Sequence, residues 1–431
     1  MRILIIGAGV IGLTSAYVLR RRGHHVTVVD RAEGPGRETS FANGALLTPG
    51  MPEPWNAPGS WKTLLGSIAR ADAPLQLRLH ALPNLLAWGF TFLKHSRKSL
   101  YERNTASNLR LALYSLTVMR TLRETERIEY GRVAIGALRI FRDAGAFSTA
   151  RTAAQRLVAA GLGAEELSAD ETIDLEPALA PIKGSLTGTL YYRDDETGNA
   201  YQFCLSLAEC LRSQGVEFRF RAVVTSLETH LGEVTAVNVE NARLTADRYV
   251  VAAGSYCTSL LQPAGIRLPV RPVKGYSVTF ERLPAPDSLR IPIIDDHLHA
   301  VVVPLGGAIR VAGTAEFTGY DLSLPPARID NLVRLLPQVL PYERLDLATG
   351  KPWCGLRAMS ADGVPIVSPT PVRNLFVNTG HGHLGWTMAA GSAELLADLL
   401  EGKQPLLDAR PYALERFGAV SQARDARAGG R

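Results

Sequence analysis

A short aliphatic run, Arg2–Ile6, leads straight into Gly7-Ala8-Gly9-Val10-Ile11-Gly12. That junction constrains the chain more than any other stretch. The run reads as a buried parallel strand. Residues 13–22 read as a helix stopped by Gly23, and residues 25–29 as a second strand ending on Asp30. Gly7 permits the tight turn, Gly9 lets a pyrophosphate approach the backbone, and Gly12 lets helix and strand pack closely. The N–H groups at the helix start, at Val10 and Ile11, point at the phosphate with the helix dipole behind them. Asp30 stands where a carboxylate accepts hydrogen bonds from ribose hydroxyls, and Arg31 beside it is assigned to the same site. Strand, turn, helix, second strand and terminal acid together predict a dinucleotide site.

With 431 residues the chain has room for two or three domains. The net charge of +6 comes from arginines scattered along the chain, with no aromatic-interleaved basic tract, which argues against a nucleic-acid partner. Cys204, Cys210, Cys257 and Cys354 show no C-x-x-C and no metal-ligand spacing, so reduced thiols and a cytoplasmic location are expected. Asp194, Asp195 and Glu196 lack matching ligands elsewhere; they read as a solvated loop, and no metal is predicted. A strand beginning at residue 2 leaves no signal peptide, and no apolar run reaches transmembrane length. Residues 85–93 are apolar and run into Lys94, His95, Arg97 and Lys98. They suit either a peripheral membrane contact or a helix packed into the core with a charged end. Residues 421–431 read as a disordered tail.

Further along, the loop after the second strand offers Thr39, Ser40, Asn43 and Gly44 to the middle of a cofactor, because ligands of open α/β sheets bind at the carboxyl ends of the strands. Val223 begins a short strand and is assigned to the same site. Residues 249–255 form a strand returning to the nucleotide sheet, with Ala253 and Gly254 small enough to touch phosphate or ribose. Residues 270–280 and 298–312, with a Gly306-Gly307 hairpin turn, predict a separate antiparallel layer that builds a substrate pocket. Late in the chain, strand 375–378 runs into Gly380-His381-Gly382-His383-Leu384-Gly385-Trp386-Thr387 and a helix over 388–400. No acid-tipped strand follows, so this second glycine turn serves the first cofactor. A helix N-terminus there stabilises the negative charge of a reduced flavin, which favours FAD over NAD. His381 and His383 are expected to line the flavin.

With these stretches in hand, the chain resembles the FAD-dependent D-amino acid oxidase superfamily and, more narrowly, the small-subunit family of bacterial D-amino acid dehydrogenases. Carrying the likeness are Gly7 to Gly12, Glu38-Thr39-Ser40, Pro54-Trp55, Asp195-Glu196-Thr197-Gly198, Lys274-Gly275-Tyr276-Ser277, Gly355-Leu356-Arg357, Asp362-Gly363 and the late glycine-histidine turn. The resemblance implies an α/β fold. A Rossmann-like FAD-binding domain, a parallel sheet with helices, would be assembled from residues 1–60, 195–265 and 350–420. An α+β substrate domain with a mostly antiparallel sheet would occupy 61–194 and 266–349. It also implies oxidative deamination of D-amino acids to 2-oxo acids and ammonia, with electrons passed to a respiratory acceptor at the membrane. Arg357 is the implied carboxylate anchor, and a planar guanidinium suits that task. Tyr276 is a second candidate pocket contact. Lys274 is expected either beside the flavin or in solvent. The rival readings are a related amine-oxidising flavoenzyme (D-hydroxyproline dehydrogenase, glycine or sarcosine oxidase) and a flavin-bearing electron-transfer subunit.

Overall fold

The computed structural model describes residues 1–60, 75–78, 81–240, 242–283 and 288–418. The expected tail at 421–431 lies outside them. Aliphatic strands buried on both faces build a six-stranded sheet in the order Ile366–Pro369, Leu375–Thr379, Arg248–Val251, Arg2–Ile6, His25–Val29, Glu217–Arg219. Its pairings are parallel except at Ile366–Pro369, which runs antiparallel to its neighbour. Arg2–Ile6 thus lies beside Arg248–Val251, which in turn lies beside Leu375–Thr379.

The first helix spans Val10–Arg21, starting inside the glycine turn and three residues earlier than the periodicity suggests. The cause is the turn itself: Gly9 is the N-cap, so Val10 is already helical. This helix packs beside Gly385–Glu401, whose buried residues surround it. Thr14 Oγ1 donates to Ala389 O at 3.1 Å, and Arg22 pairs with Glu394, Asp398 and Glu401. These bonds lock the opening and closing helices side by side, so their N-terminal turns face a common space.

A second, nine-stranded and largely antiparallel sheet has the long strands Leu345–Ser360, Val270–Arg282 and Ala308–Phe317 at one end and Ala164–Leu167 at the other. The Gly306-Gly307 turn joins Ala300–Leu305 to Ala308–Phe317 as expected. The expected boundary at 350 falls inside Leu345–Ser360, a strand that pairs with Val270–Arg282 over most of its length.

Two charged stretches depart from expectation. Asp195 and Glu196 are buried, not solvated. Glu196 accepts from Arg123 and Arg132 at 2.6 Å each; burial alone would raise its pKa, but the two guanidinium groups outweigh it. Asp195 accepts from the Thr48 hydroxyl and from Gly50 N–H, and burial pushes it up to about 7. Both carboxylates tie distant segments together, which loop composition does not reveal. His95 is likewise buried and accompanies neither Lys94 nor Arg97 to the surface.

Candidate active site

Both glycine turns open into one cavity of about 1460 Å³ at the carboxyl ends of the parallel strands. Its wall includes Gly7, Gly9, Val10 and Ile11 from the first turn, and Asp30 and Arg31 from the second strand's tip. Thr39, Ser40, Asn43, Gly44, Val223, Ala253 and Gly254 follow. His381, Gly382, His383, Gly385 and Trp386 complete the expected set from the late turn. Gly12, Gly380, Leu384 and Thr387 stand off the wall. A Cβ at Gly12 would run into the carbonyl of Gly7, so this glycine serves the helix–strand approach. Gly380 turns the chain at φ +79°, Leu384 is core, and Thr387 Oγ1 accepts from Thr48 N–H at 3.0 Å.

The wall suits a dinucleotide. A Cβ at Gly7 would lie 2.5 Å from Ala252 O, so the backbone there is bare. Asp30 accepts from Ala8 N–H at 2.6 Å and from Ala32 N–H at 2.7 Å, fixing a carboxylate that keeps lone pairs for hydroxyl donors. Three buried polar atoms of wall residues lack a partner among the described residues: Asn378 Oδ1, Thr314 Oγ1 and Trp386 Nε1. Buried groups of this kind are normally satisfied, and a flavin's carbonyl and N–H edges offer matching chemistry. The 38–48 loop is pinned to the second sheet. Thr39 Oγ1 donates to Leu356 O, Ser277 Oγ to Ala42 O, and Arg310 Nη1 to Asn43 O.

Arg357 reaches the cavity from Leu345–Ser360, opposite Val273. Nη1 donates to Thr314 O at 3.3 Å, and the guanidinium lies 5.4 Å from the Trp55 ring. A Cβ at Gly275 would collide with this side chain, so Gly275 makes its channel. No carboxylate pairs with Arg357 among the described residues, and burial alone draws its pKa down to about 10. A half-buried guanidinium on a cavity wall, with no carboxylate partner among the described residues, is a ready anion anchor.

The histidines are neutral walls rather than acid–base groups. Burial takes His383 down to about 4 and His381 to about 3. His383 Nε2 faces Met51 O at 3.3 Å, and because a carbonyl only accepts, that nitrogen carries the proton. Its ring stacks on Trp55 at 5.6 Å.

Of two further expected contacts, Tyr276 reaches the cavity wall and Lys274 does not. Tyr276 borders the cavity, yet its ring belongs to the core layer with Val278 and Phe280, and its hydroxyl donates to Glu316. The two-residue alternation of the strand turns Gly275 and Ser277 toward the cofactor loop and Tyr276 away. Lys274, of the same parity as Tyr276, is neither beside the cavity nor solvated: it is buried and paired with Asp321 at 3.0 Å. Sequence reasoning missed Glu53, Tyr101, Arg139 and Asp296, which also reach the wall. They come from four separate segments, so no spacing joins them.

A family model described as FAD dependent oxidoreductase matches residues 2–399. The chain is 43% identical over 412 residues to a protein called D-amino acid dehydrogenase in Dechloromonas aromatica (strain RCB), covering 94% of this chain and 98% of that one. A protein of the same name in Paramagnetospirillum magneticum is 40% identical over 425 residues, covering 97% and 99%. Among solved structures, glycine oxidase from Geobacillus kaustophilus superposes with a TM-score of 0.76 at 22% identity, covering 96% of this chain and 99% of that one. L-proline dehydrogenase from P. horikoshii gives 0.75 at 17% identity, covering 96% and 97%. The two solved structures share the fold.

Proposed function

The chain belongs to the FAD dependent oxidoreductase family, and from that premise we propose that it oxidatively deaminates D-amino acids to 2-oxo acids and ammonia. The observation that carries this reading is the Arg357 guanidinium, beside Trp55 and His383 and with no carboxylate partner among the described residues. It holds the α-carboxylate through paired hydrogen bonds, and most of the catalysis is positioning of Cα. Bound FAD supplies the two-electron acceptor for the hydride that leaves Cα. The amine gives up a proton, and water then hydrolyses the imino acid to oxo acid and ammonia. The residues expected at FAD are those of the two glycine turns, the 38–44 loop, Asp30 and Ala253-Gly254. The two rings of His381 and His383 stay uncharged and exclude water. The electrons leave to an acceptor of the quinone or dye class. Anaerobic titration with D-alanine, D-proline and sarcosine tests this. D-alanine should bleach the flavin absorption of the isolated chain. Bleaching by sarcosine alone would favour the glycine-oxidase-like reading, and none at all the electron-transfer subunit.

We also propose a peripheral membrane contact. Among the described residues no helix is long and apolar enough to cross a bilayer. Helix Leu82–Lys94 buries Trp88 and Phe92 but exposes Leu86 (71%) and Phe90 (76%), with Lys94, Arg97 and Lys98 exposed at its end. One face of this helix packs into the core, and the other leaves Leu86 and Phe90 available for such a contact. Cations near an anionic surface contribute about 1 kcal/mol each. The protein should co-sediment with anionic vesicles at low salt, and Phe90→Asp should weaken this about tenfold. Equal recovery in the supernatant with and without vesicles would remove the contact.

A further inference from the structure

Past Trp55 the cavity wall changes character. Glu53 from the 48–57 segment, Tyr101 from helix Lys98–Glu126, Arg139 from strand Ala137–Phe141 and Asp296 all reach it. Arg139 donates to Asp296 Oδ1 from Nε at 3.1 Å and from Nη2 at 2.6 Å. Glu53 is held differently. Burial and Asp296 oppose its charge and Arg139 favours it, with burial prevailing, so it titrates above the usual carboxylate range. Among the described residues, only its own backbone N–H approaches that carboxyl as a donor. The Tyr101 hydroxyl feels the charges of Glu53 and Arg139 but makes no hydrogen bond among the described residues.

The charge balance decides what fits. Two carboxyls share one guanidinium, so this wall carries one net negative charge with Glu53 ionised and none with it protonated. Asp295, also on the wall, is paired with Arg142 at 2.8 Å, so this neutralised pair leaves the balance unchanged. Ala146, Thr149, Ala150 and Ala153 line one face of helix Ala144–Ala159 alongside and keep the space wide. Glu53 lies two residues from Trp55, a backbone span of at most about 7 Å, and Trp55 touches Arg357. A side chain of four or five bonds crosses that interval.

We propose that this wall is the side-chain subsite of the enzyme, and that it selects D-amino acids whose side chains end in an ammonium, guanidinium or amide over those ending in a carboxylate. The assignment rests on the reading that Arg357 holds the α-carboxylate. An ammonium placed between Glu53 and Tyr101 offers both a partner that no other side chain among the described residues supplies by hydrogen bond, and its bond to Glu53 is charge-assisted. A terminal carboxylate meets Glu53 and Asp296 and is rejected by like charge.

Anaerobic flavin reduction by D-lysine, D-glutamine, D-glutamate and D-alanine tests the subsite in the holoenzyme and in Glu53→Gln. D-lysine should exceed D-glutamate in kcat/KM by at least about tenfold. Glu53→Gln should cut the D-lysine to D-alanine ratio by about tenfold or more, mainly through KM. An unchanged ratio in a variant that keeps its FAD overturns the subsite. Should Glu53→Gln fold poorly, Tyr101→Phe should shift the same ratio in the same direction. Binding of 1,5-diaminopentane, read from the flavin absorption, is independent of turnover. Weaker binding in Glu53→Gln with no bleaching by D-alanine removes the proposed reaction and keeps the subsite. D-alanine bleaching with a ratio indifferent to Glu53 does the reverse.

Discussion

Replacing Arg357 by alanine should lower kcat/KM for flavin reduction by D-alanine roughly a thousandfold, about 4 kcal/mol, while the protein stays yellow. The size follows from what the guanidinium faces. It is half-buried on the cavity wall and lacks a carboxylate partner among the described residues, so a substrate carboxylate is its counter-ion. Removing it deprives the substrate of both its charge partner and its orientation. Stability moves little, because no buried anion is left behind and the cost of enclosing an unpaired cation disappears. Arg357→Lys should recover only part of the loss, since an ammonium cannot grip a carboxylate with a planar fork. Stopped-flow reduction, flavin content and a thermal melt check all three statements. Wild-type kinetics in Arg357→Ala would expel the residue from the site.

Gly12→Ala should produce a colourless protein. A Cβ there overlaps the Gly7 carbonyl oxygen, and no rotamer relieves it because both atoms belong to the backbone framework. The helix Val10–Arg21 has to retreat from the strand, carrying the Val10 and Ile11 N–H groups with it. Displacements of that kind cost more than about 3 kcal/mol. For a chain of this length the melting temperature falls by roughly 3 °C or more. The ratio of flavin to protein absorbance after purification is the direct readout. Retention of stoichiometric FAD would mean the turn does not hold the phosphates.

These two positions also show what was legible in the sequence. The glycines act on atoms within a few residues of themselves, so the first β-turn-α-β unit could be read from spacing alone. The late turn was legible as a helix start without its acid, and it faces the same cavity as the first. Burial of charge was not legible. Lys274 and Asp195 looked like solvent groups because their partners, Asp321 and Thr48, lie 47 and 147 residues away. Tyr276 reaches the cavity wall as expected, but its hydroxyl is committed to Glu316. A one-residue step along a strand reverses the face, and only the register with Leu345–Ser360 shows that Gly275 takes the cavity side. Glu53, Tyr101, Arg139 and Asp296 carry no shared pattern at all; tertiary folding alone assembles them.

The cavity proposed to hold the cofactor takes its first wall residue from Ile6 and its last from Trp386, and the central sheet places strand Arg248–Val251 between Arg2–Ile6 and Leu375–Thr379. A ribosome adding roughly 5–20 residues per second needs some tens of seconds to make the intervening stretch. Throughout that time the opening glycine turn is an unfinished half-clamp. Flavin loading is therefore a late event in the birth of this enzyme, and the nascent chain must keep its aliphatic first strand out of trouble until its distant neighbour emerges.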